Sequence, residues 1–341
     1  MQLHVLGIEI GGTKLQMVAG DSRGRILETR RFTVERSAGA RGIRRAVESA
    51  LPDLLHRWQP KAIGVGFGGP VDTRSGRIAR SHQIEGWSGF NLRTWLGKQS
   101  GLPVWAENDA NTAALAEATH GAGKGRNPVF YVTLGSGVGG GCVVDGRIYH
   151  GNAPGESEIG HLRLDRRGTL VEQRCSGWAV DARIRRLGSN TLPTCLRGWL
   201  PAHPGGEARL LPRALRAGDK VAHGILNGTA DDLAFALSHV THLFHPEVVV
   251  LGGGLSLIGA PLRLAVARAL PAYVMEVFHG GPVIRLAKLG EQAVPIGALL
   301  GALDLLAGGK GRCAQPARQR ANPPASALQA TARHARVSRK P

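Results

Sequence analysis

Short apolar segments alternate with helical patterns along this chain. LHVLGIEIGG is a strand pattern ending in glycine, and KLQMVAGDSRGRILETRRFTV continues it as two strands joined by a Gly-containing turn. Residues 40–55 carry apolar side chains at helical spacing, and KAIGVGFGGPVD then returns to a strand that enters a Gly-Pro loop. The pattern predicts an opening β-meander followed by alternating helix and strand.

The rest of the chain repeats this order. LPVWAEND predicts a strand, NTAALAEATHG a helix, and NPVFYVTLGSGVGGGCVVDG two strands around a glycine-rich turn. Residues 176–236 are mainly helical in pattern, HPEVVVLGGG and PVIRLAKLG are strands, and VPIGALLGALDLLAG is a closing helix. Two units therefore open with strand, glycine-rich turn and strand, which predicts a duplicated α/β fold that holds a nucleotide between the two turns.

Composition narrows the class of protein. A chain of 341 residues with 49 glycines and 5% aromatics favours an α/β enzyme of one elongated domain or two domains with a cleft. No apolar run of about 18 residues and no signal-peptide succession occurs, so we expect a cytoplasmic protein without a membrane segment. The four cysteines are widely spaced, which favours reduced thiols.

The net charge of +18 is unevenly distributed. Residues 308–341 contain eight Lys or Arg and no acidic residue, and without them the net charge is +10. This tail lacks apolar periodicity, so we expect it to be disordered, with at most weak, salt-sensitive attraction to nucleic acid. A second basic excess, residues 163–220, is either a solvated helical face or an anion-binding surface.

The two glycine-rich turns suit phosphate oxygens. The first offers backbone N–H groups with a hydroxyl and an ammonium, and its alternative is a simple hairpin turn. The second turn makes the phosphate interpretation the stronger one. Neither is a P-loop, and the G-x-G-x-x-G matches at 135–140 and 64–69 open no helix, which excludes a dinucleotide-binding Rossmann site. The turn residues are Gly11, Gly12, Thr13 and Lys14, then Gly135, Ser136 and Gly137.

Seven motifs in this order carry a family resemblance: IEIGGTK, GVGFGGPVD, AENDAN, LGSGVGGG, GESEIGH, PEVVVLGGG and VPIGALLGA. Over residues 3–306 the chain resembles the ROK family of sugar kinases and repressors, within the hexokinase and actin superfamily. The resemblance implies a two-lobed ribonuclease-H-like fold, with ATP and sugar meeting in a cleft, and a homodimer. We expect an N-terminal lobe over 1–116 completed by a closing helix over 294–307, a C-terminal lobe over 117–293, and the tail.

The resemblance also assigns the nucleotide contacts. The two glycine-rich turns become the first and second phosphate loops, and residues 252–254, with Gly253 and Gly254, become the adenosine loop. ATP and Mg²⁺ are the implied cofactors. Glu9 stands where the family usually has Asp, so we expect it to hold Mg²⁺ through a water molecule.

Asp109 is the candidate catalytic residue. A carboxylate within hydrogen-bond reach can accept the proton that a hydroxyl loses when it attacks phosphorus. From the local sequence alone, Asn108 or Asp109 could equally be a helix N-cap. The resemblance implies that Asp109 is the general base and that Asn108 binds a sugar hydroxyl.

Further sugar ligands come from the C-terminal lobe. GESEIGH spaces Glu158 and His161 so that both side chains can converge on a small polyol, although His161 alone could be a core histidine. The resemblance implies that both bind sugar hydroxyls, that Glu172 in VEQRCSGWAV completes the clamp, and that Gly68 faces the sugar.

Two further departures from the family pattern matter. Residues 163–171 lack the three cysteines that hold structural zinc in many members, so we expect no zinc site. Gln83 replaces an Asn that faces the sugar in many members, which leaves the hexose open.

The leading hypothesis is a hexokinase-type enzyme that phosphorylates glucose, with N-acetylhexosamine, mannose or fructose as alternatives. A ROK repressor would need an N-terminal helix-turn-helix module, whereas the first kinase strand begins at Leu3. A sugar-sensing protein with weak catalysis remains open because of Glu9.

Overall fold

The computed structural model describes residues 2–81, 84–152, 157–189, 193–200, 205–278 and 280–308. Gln83 and residues 309–341 of the basic tail lie outside the described residues. Through the first half, the elements are β1 His4–Ile10, β2 Lys14–Asp21, β3 Ile26–Thr33, α1 Gly39–Trp58, β4 Ile63–Phe67, β5 Val71–Asp72, β6 Arg77–Ile78, α2 Leu92–Ser100, β7 Val104–Asn108 and α3 Asp109–Thr119. The second half contains β8 Val129–Leu134, β9 Val138–Val144, β10 Arg147–Ile148, α4 Val171–Cys175, α5 Gly177–Arg185, α6 Leu211–Arg216, α7 Lys220–Phe244, β11 Val248–Gly252, α8 Ala260–Ala269, β12 Val283–Leu286 and α9 Ala293–Leu306.

Two five-stranded sheets share one topology. The first has the order β3-β2-β1-β4-β7, and the second has the order β10-β9-β8-β11-β12. In each sheet an antiparallel hairpin comes first, and two parallel strands then extend the sheet on its other side. The predicted duplicated α/β fold with two lobes is confirmed.

Burial follows position in the sheet. Central strands β4 and β11 are buried at every residue, as expected for parallel strands covered on both faces. Edge strand β3 instead alternates between half-buried and exposed side chains, which gives the period-two pattern seen in the sequence. Each sheet supports its own apolar core. Among the helices of the described residues, none has both the length and the hydrophobicity needed to cross a bilayer.

Helix α3 connects the two halves, because it contacts α9 on one side and strands β8 and β9 on the other. Glycines permit the close approach: a Cβ on Gly297 would lie 1.9 Å from the carbonyl oxygen of Thr112, and one on Gly141 would lie 2.7 Å from Cβ of Ala114. The sequence predicted a helix over NTAALAEATHG and left Asn108 and Asp109 as alternative N-caps. The helix begins at Asp109 because the Asn108 side chain caps it.

The closing helix α9 packs against β1, β4 and β7 of the first sheet. It spans Ala293–Leu306, one residue earlier than predicted at each end. This packing agrees with a closing helix that completes the N-terminal lobe, although the lobe boundaries at 116 and 293 stay a prediction.

Gly297→Ala should destabilise the protein by about 1–3 kcal/mol, because the added methyl group collides with the backbone of α3. Gly224→Ala, at an exposed position of α7, is the matched control, since a Cβ there meets nothing within 4 Å. That control should instead stabilise by up to about 1 kcal/mol through helix propensity. Urea unfolding of both variants measures the difference, and two variants of equal stability would contradict the close helix contact.

Candidate active site

The first glycine-rich turn lies beside the N-terminus of α3. The Gly11 N–H donates to the Lys14 carbonyl at 2.9 Å, and the Gly68 N–H donates to the Ile10 carbonyl at 2.8 Å. A Cβ on Gly68 would lie 3.5 Å from both Oδ2 of Asp109 and Cα of Gly11. The structure thus brings together three of the predicted residues, Gly11, Gly68 and Asp109.

Asn108 and Asp109 have different structural roles. Oδ1 of Asn108 accepts the N–H groups of Ala110 at 2.8 Å and Asn111 at 3.2 Å, and its Nδ2 donates to the Gly69 carbonyl at 3.1 Å. Asn108 is therefore the N-cap, and Asp109 is the first helical residue. Oδ1 of Asp109 accepts the adjacent N–H of Ala110 at 2.8 Å, and Oδ2 lies on the side of Gly68.

The electrostatics of Asp109 suit proton transfer. Burial, followed by the negative charges of Glu9 and Glu158, raises the pKa of Asp109 to about 7. Burial also raises the pKa of Glu9, against the opposing charge of Lys14. A carboxyl group with a pKa near 7 can both accept and release a proton at neutral pH.

Glu9 is held by two partners. Lys14 Nζ lies 3.2 Å from Oε1, and Gln16 Nε2 donates to Oε2 at 2.7 Å. Across the described residues no group of three His, Cys, Asp or Glu side chains is arranged to hold a metal. Mg²⁺ commonly keeps several waters and binds through one or two carboxylates plus substrate phosphates. The occupied oxygens of Glu9 therefore fit contact with Mg²⁺ through water.

Glu158 and His161 lie on a short turn from the other lobe. The His161 N–H donates to the Glu158 carbonyl at 3.0 Å. Between them, Gly160 sits against the second glycine-rich turn, since a Cβ there would lie 2.1 Å from the Val138 carbonyl oxygen. His161 is exposed, so the core-histidine alternative is wrong. The negative charge of Glu158 contributes to the raised pKa of Asp109.

Glu172 lies against the second turn. Its Oε2 accepts the Val138 N–H at 2.9 Å, and the Gly177 N–H donates to the Gly135 carbonyl at 2.7 Å. The segment that carries Glu172 therefore fixes both ends of this turn. The arrangement brings a predicted sugar ligand next to a predicted phosphate loop.

The predicted adenosine loop lies near the same turn. Gly253 has φ +78°, and a Cβ on it would lie 2.6 Å from the backbone of Leu134, the residue before Gly135. Only glycine satisfies both conditions. Of the remaining predicted nucleotide residues, Gly12 is buried, Ser136 and Gly137 are half-buried, and Thr13 and Gly254 are exposed.

A backbone hairpin occupies the region where many ROK members carry zinc-binding cysteines. The Leu164 N–H donates to the Thr169 carbonyl at 2.8 Å, and Oδ1 of Asp165 accepts the Thr169 N–H at 3.2 Å. Cys175 is buried, with its Sγ 3.7 Å from the Thr229 carbonyl oxygen. These hydrogen bonds hold the segment together without a metal ion. The expectation of a zinc-free protein stays a prediction.

The sequence did not reveal the role of Glu107. This residue is 1% exposed, and its Oε1 accepts the Asn108 N–H at 2.8 Å and the Asn111 Nδ2 at 3.2 Å. His150, beyond β10, places Nε2 2.6 Å from Oε2 of Glu107. The Glu107–His150 pair connects the backbone of Asn108 to the segment that follows β10. An acidic residue at the end of an apolar strand indicates that it is buried with a partner. The local sequence does not identify that partner.

Comparison with known proteins agrees with this geometry. The family model described as "ROK family" matches residues 5–305. A glucokinase from Thermotoga maritima is 30% identical over 308 residues, covering 87% of this chain and 96% of the relative. A ROK hexokinase from Thermus thermophilus has a TM-score of 0.74 and 30% identity, covering 91% of this chain and all of that structure.

A ROK glucokinase from Streptomyces griseus, solved with glucose and AMPPNP, has a TM-score of 0.77 and 28% identity. The alignment covers 88% of this chain and 99% of that structure. Sequence and structure thus match the family along nearly the whole folded region, and the chain is a member of the ROK family with its two-lobed, actin-like fold.

Proposed function

We propose that this protein transfers the γ-phosphoryl group of ATP to a hexose hydroxyl, with glucose as the preferred acceptor and glucose 6-phosphate as the product. The observation that carries the proposal is the position of Asp109. Its carboxyl group, with a pKa near 7, lies beside the first glycine-rich turn and within charge range of Glu158. This position supports a role for Asp109 as the general base of the proposed transfer.

The proposed reaction needs one group that accepts the hydroxyl proton, and a phosphoryl donor that is held in place. The sugar hydroxyl gives its proton to Asp109 as its oxygen forms a bond to the γ-phosphorus. The bond from that phosphorus to the bridging oxygen breaks, and ADP leaves with the electron pair. Asn108, Glu158, His161 and Glu172 orient the sugar, and the backbone N–H groups of the two turns bind phosphate. Mg²⁺, held through water by Glu9, would neutralise phosphate charge when bound.

The choice of acceptor rests on the relatives. Glucokinases from Thermotoga maritima and Streptomyces griseus support glucose, and the AMPPNP complex of the latter supports ATP as the donor. Gln83 lies outside the described residues and adds nothing to this choice. The alternatives are another hexose, namely N-acetylhexosamine, mannose or fructose, and a sugar sensor with weak catalysis. The homodimer stays a prediction from the resemblance, and the cytoplasmic location stays a prediction from the sequence pattern.

A panel of hexoses with ATP and Mg²⁺ should give the highest kcat/KM for glucose. Glu9→Asp, which restores the usual family residue, is the companion variant and tests whether Glu9 limits turnover. A wild-type chain that binds glucose without phosphorylating it, while Glu9→Asp turns over, would support the sensor alternative. A higher kcat/KM for another hexose would overturn the choice of glucose.

Asp109→Asn should lower kcat by about 10²- to 10⁴-fold, the usual loss for a general base. The pKa of Asp109 is higher in the folded protein than its ordinary value near 4, so ionisation at high pH costs folding free energy. The asparagine side chain of the Asp109→Asn variant does not ionise, so the variant avoids this cost in folding free energy. It should therefore be more stable than wild type by up to about 4 kcal/mol at pH 8, and the difference should shrink as the pH falls toward 4.

Activity assays and urea unfolding at both pH values measure the two effects. Asp145→Asn, in the exposed turn between β9 and β10, is the control for a general loss of negative charge. Retention of most of kcat by Asp109→Asn would show that another group accepts the proton.

The pH profile provides a separate prediction. Because only the carboxylate form accepts a proton, kcat/KM for the sugar should rise with pH through a single ionisation with a midpoint near 7. The same titration should be missing from the residual activity of Asp109→Asn. A wild-type midpoint near 4, the ordinary value for Asp, would contradict the raised pKa.

A further inference from the structure

Arg36 lies beside the first glycine-rich turn, in the short helical turn Arg36–Ala38 that links β3 to α1. Its Nε donates to the Gly12 carbonyl at 3.3 Å. The side chain is exposed at the surface. The hydrogen bond thus fixes one edge of an accessible guanidinium group at the turn.

The charge balance of the turn makes this cation important. Lys14, the expected phosphate ligand, is paired with Glu9 at 3.2 Å, so its charge is partly neutralised within the protein. Glu9, Asp109 and Glu158 are all carboxyl groups near the place where a polyphosphate would bind. Among the described residues, Arg36 has no carboxylate within ion-pairing distance. Arg36 therefore supplies a positive charge that no carboxylate of the described residues neutralises by an ion pair.

Arg36 also reaches the second lobe. Its Cζ lies 5.4 Å from the ring centroid of Trp178, within the range of a cation–π contact. Trp178 follows Gly177, whose N–H binds the Gly135 carbonyl of the second turn, and it is 52% exposed. The guanidinium group of Arg36 thus lies between the Gly12 carbonyl of the first turn and Trp178, whose neighbour Gly177 is hydrogen-bonded to the second turn. A cation–π contact uses the face of the guanidinium and leaves N–H donors for an anion.

We propose that Arg36 is a phosphate-binding residue that contacts the terminal phosphate of the nucleotide across the two glycine-rich turns, with Trp178 positioning its guanidinium group. The inference rests on the proposed use of ATP. Arginine suits this role because its planar donors match phosphate oxygens and its charge is permanent.

Binding measurements separate this role from a purely structural one. Arg36→Ala should weaken ATP binding, measured by calorimetry, by about 10- to 100-fold, the range for hydrogen bonds to a charged group. ADP lacks the terminal phosphate, so its affinity should fall by less than about threefold. Arg36→Lys should recover part of the ATP affinity, and Trp178→Leu should weaken ATP binding less than Arg36→Ala does. In assays, KM for ATP should rise while KM for the sugar stays unchanged.

Arg41→Ala is the matched control, because Arg41 is an exposed arginine on neighbouring α1 and its loss changes the net charge equally. Its nucleotide affinities should equal those of wild type. If Arg36→Ala weakened the binding of ATP and ADP equally, the proposed contact with the terminal phosphate would be overturned. Arg36 would then only connect the two lobes through Trp178. Unchanged affinities would overturn both. These binding results do not need turnover, so they stand apart from a failure of the wild type to phosphorylate any hexose.

Discussion

The cap that Asn108 places on α3 is the contact on which the arrangement of the site depends. By accepting the N–H groups of Ala110 and Asn111, this side chain fixes where the helix begins, and hence where Asp109 lies. One carboxylate oxygen of Glu107 accepts the Asn108 N–H, and the other contacts His150, which follows the second sheet. The same helix packs against α9 and against β9 through glycine contacts. One short junction thus positions the proposed base relative to both lobes.

Negative charge is concentrated around that junction, and this explains the proton chemistry. Asp109 lies within charge range of Glu9 and Glu158, and Lys14 balances only part of the total through its pair with Glu9. The pKa of Asp109 rises because ionisation would add a further negative charge in a poorly solvated place. A phosphate donor would add still more, so the site needs cations from outside the carboxylate cluster. Mg²⁺ and Arg36 fill that need in the proposed mechanism.

The sequence predicted the features that local chemistry determines. The two strand–turn–strand units follow from short apolar runs and glycine, and the place of Asp109 follows from AENDAN between a strand and a helix. The sugar-binding roles of Glu158, His161 and Glu172 come from the family resemblance and stay predictions. Long-range pairs were missed, because nothing in the local pattern connects Glu107 with His150 or Arg36 with Trp178. The local sequence left the N-cap of α3 open between Asn108 and Asp109, because both residue types are preferred at that position.

The central claim is that Asp109 keeps its proton until about neutral pH. Difference infrared spectroscopy of wild type against Asp109→Asn measures this directly, because a protonated carboxyl group has a carbonyl band distinct from that of a carboxylate. The account predicts one carboxylic-acid band that is present at pH 5, disappears with a midpoint near 7, and is missing in the variant. A wild-type protein whose difference spectrum shows only carboxylate at Asp109 throughout this range would contradict it.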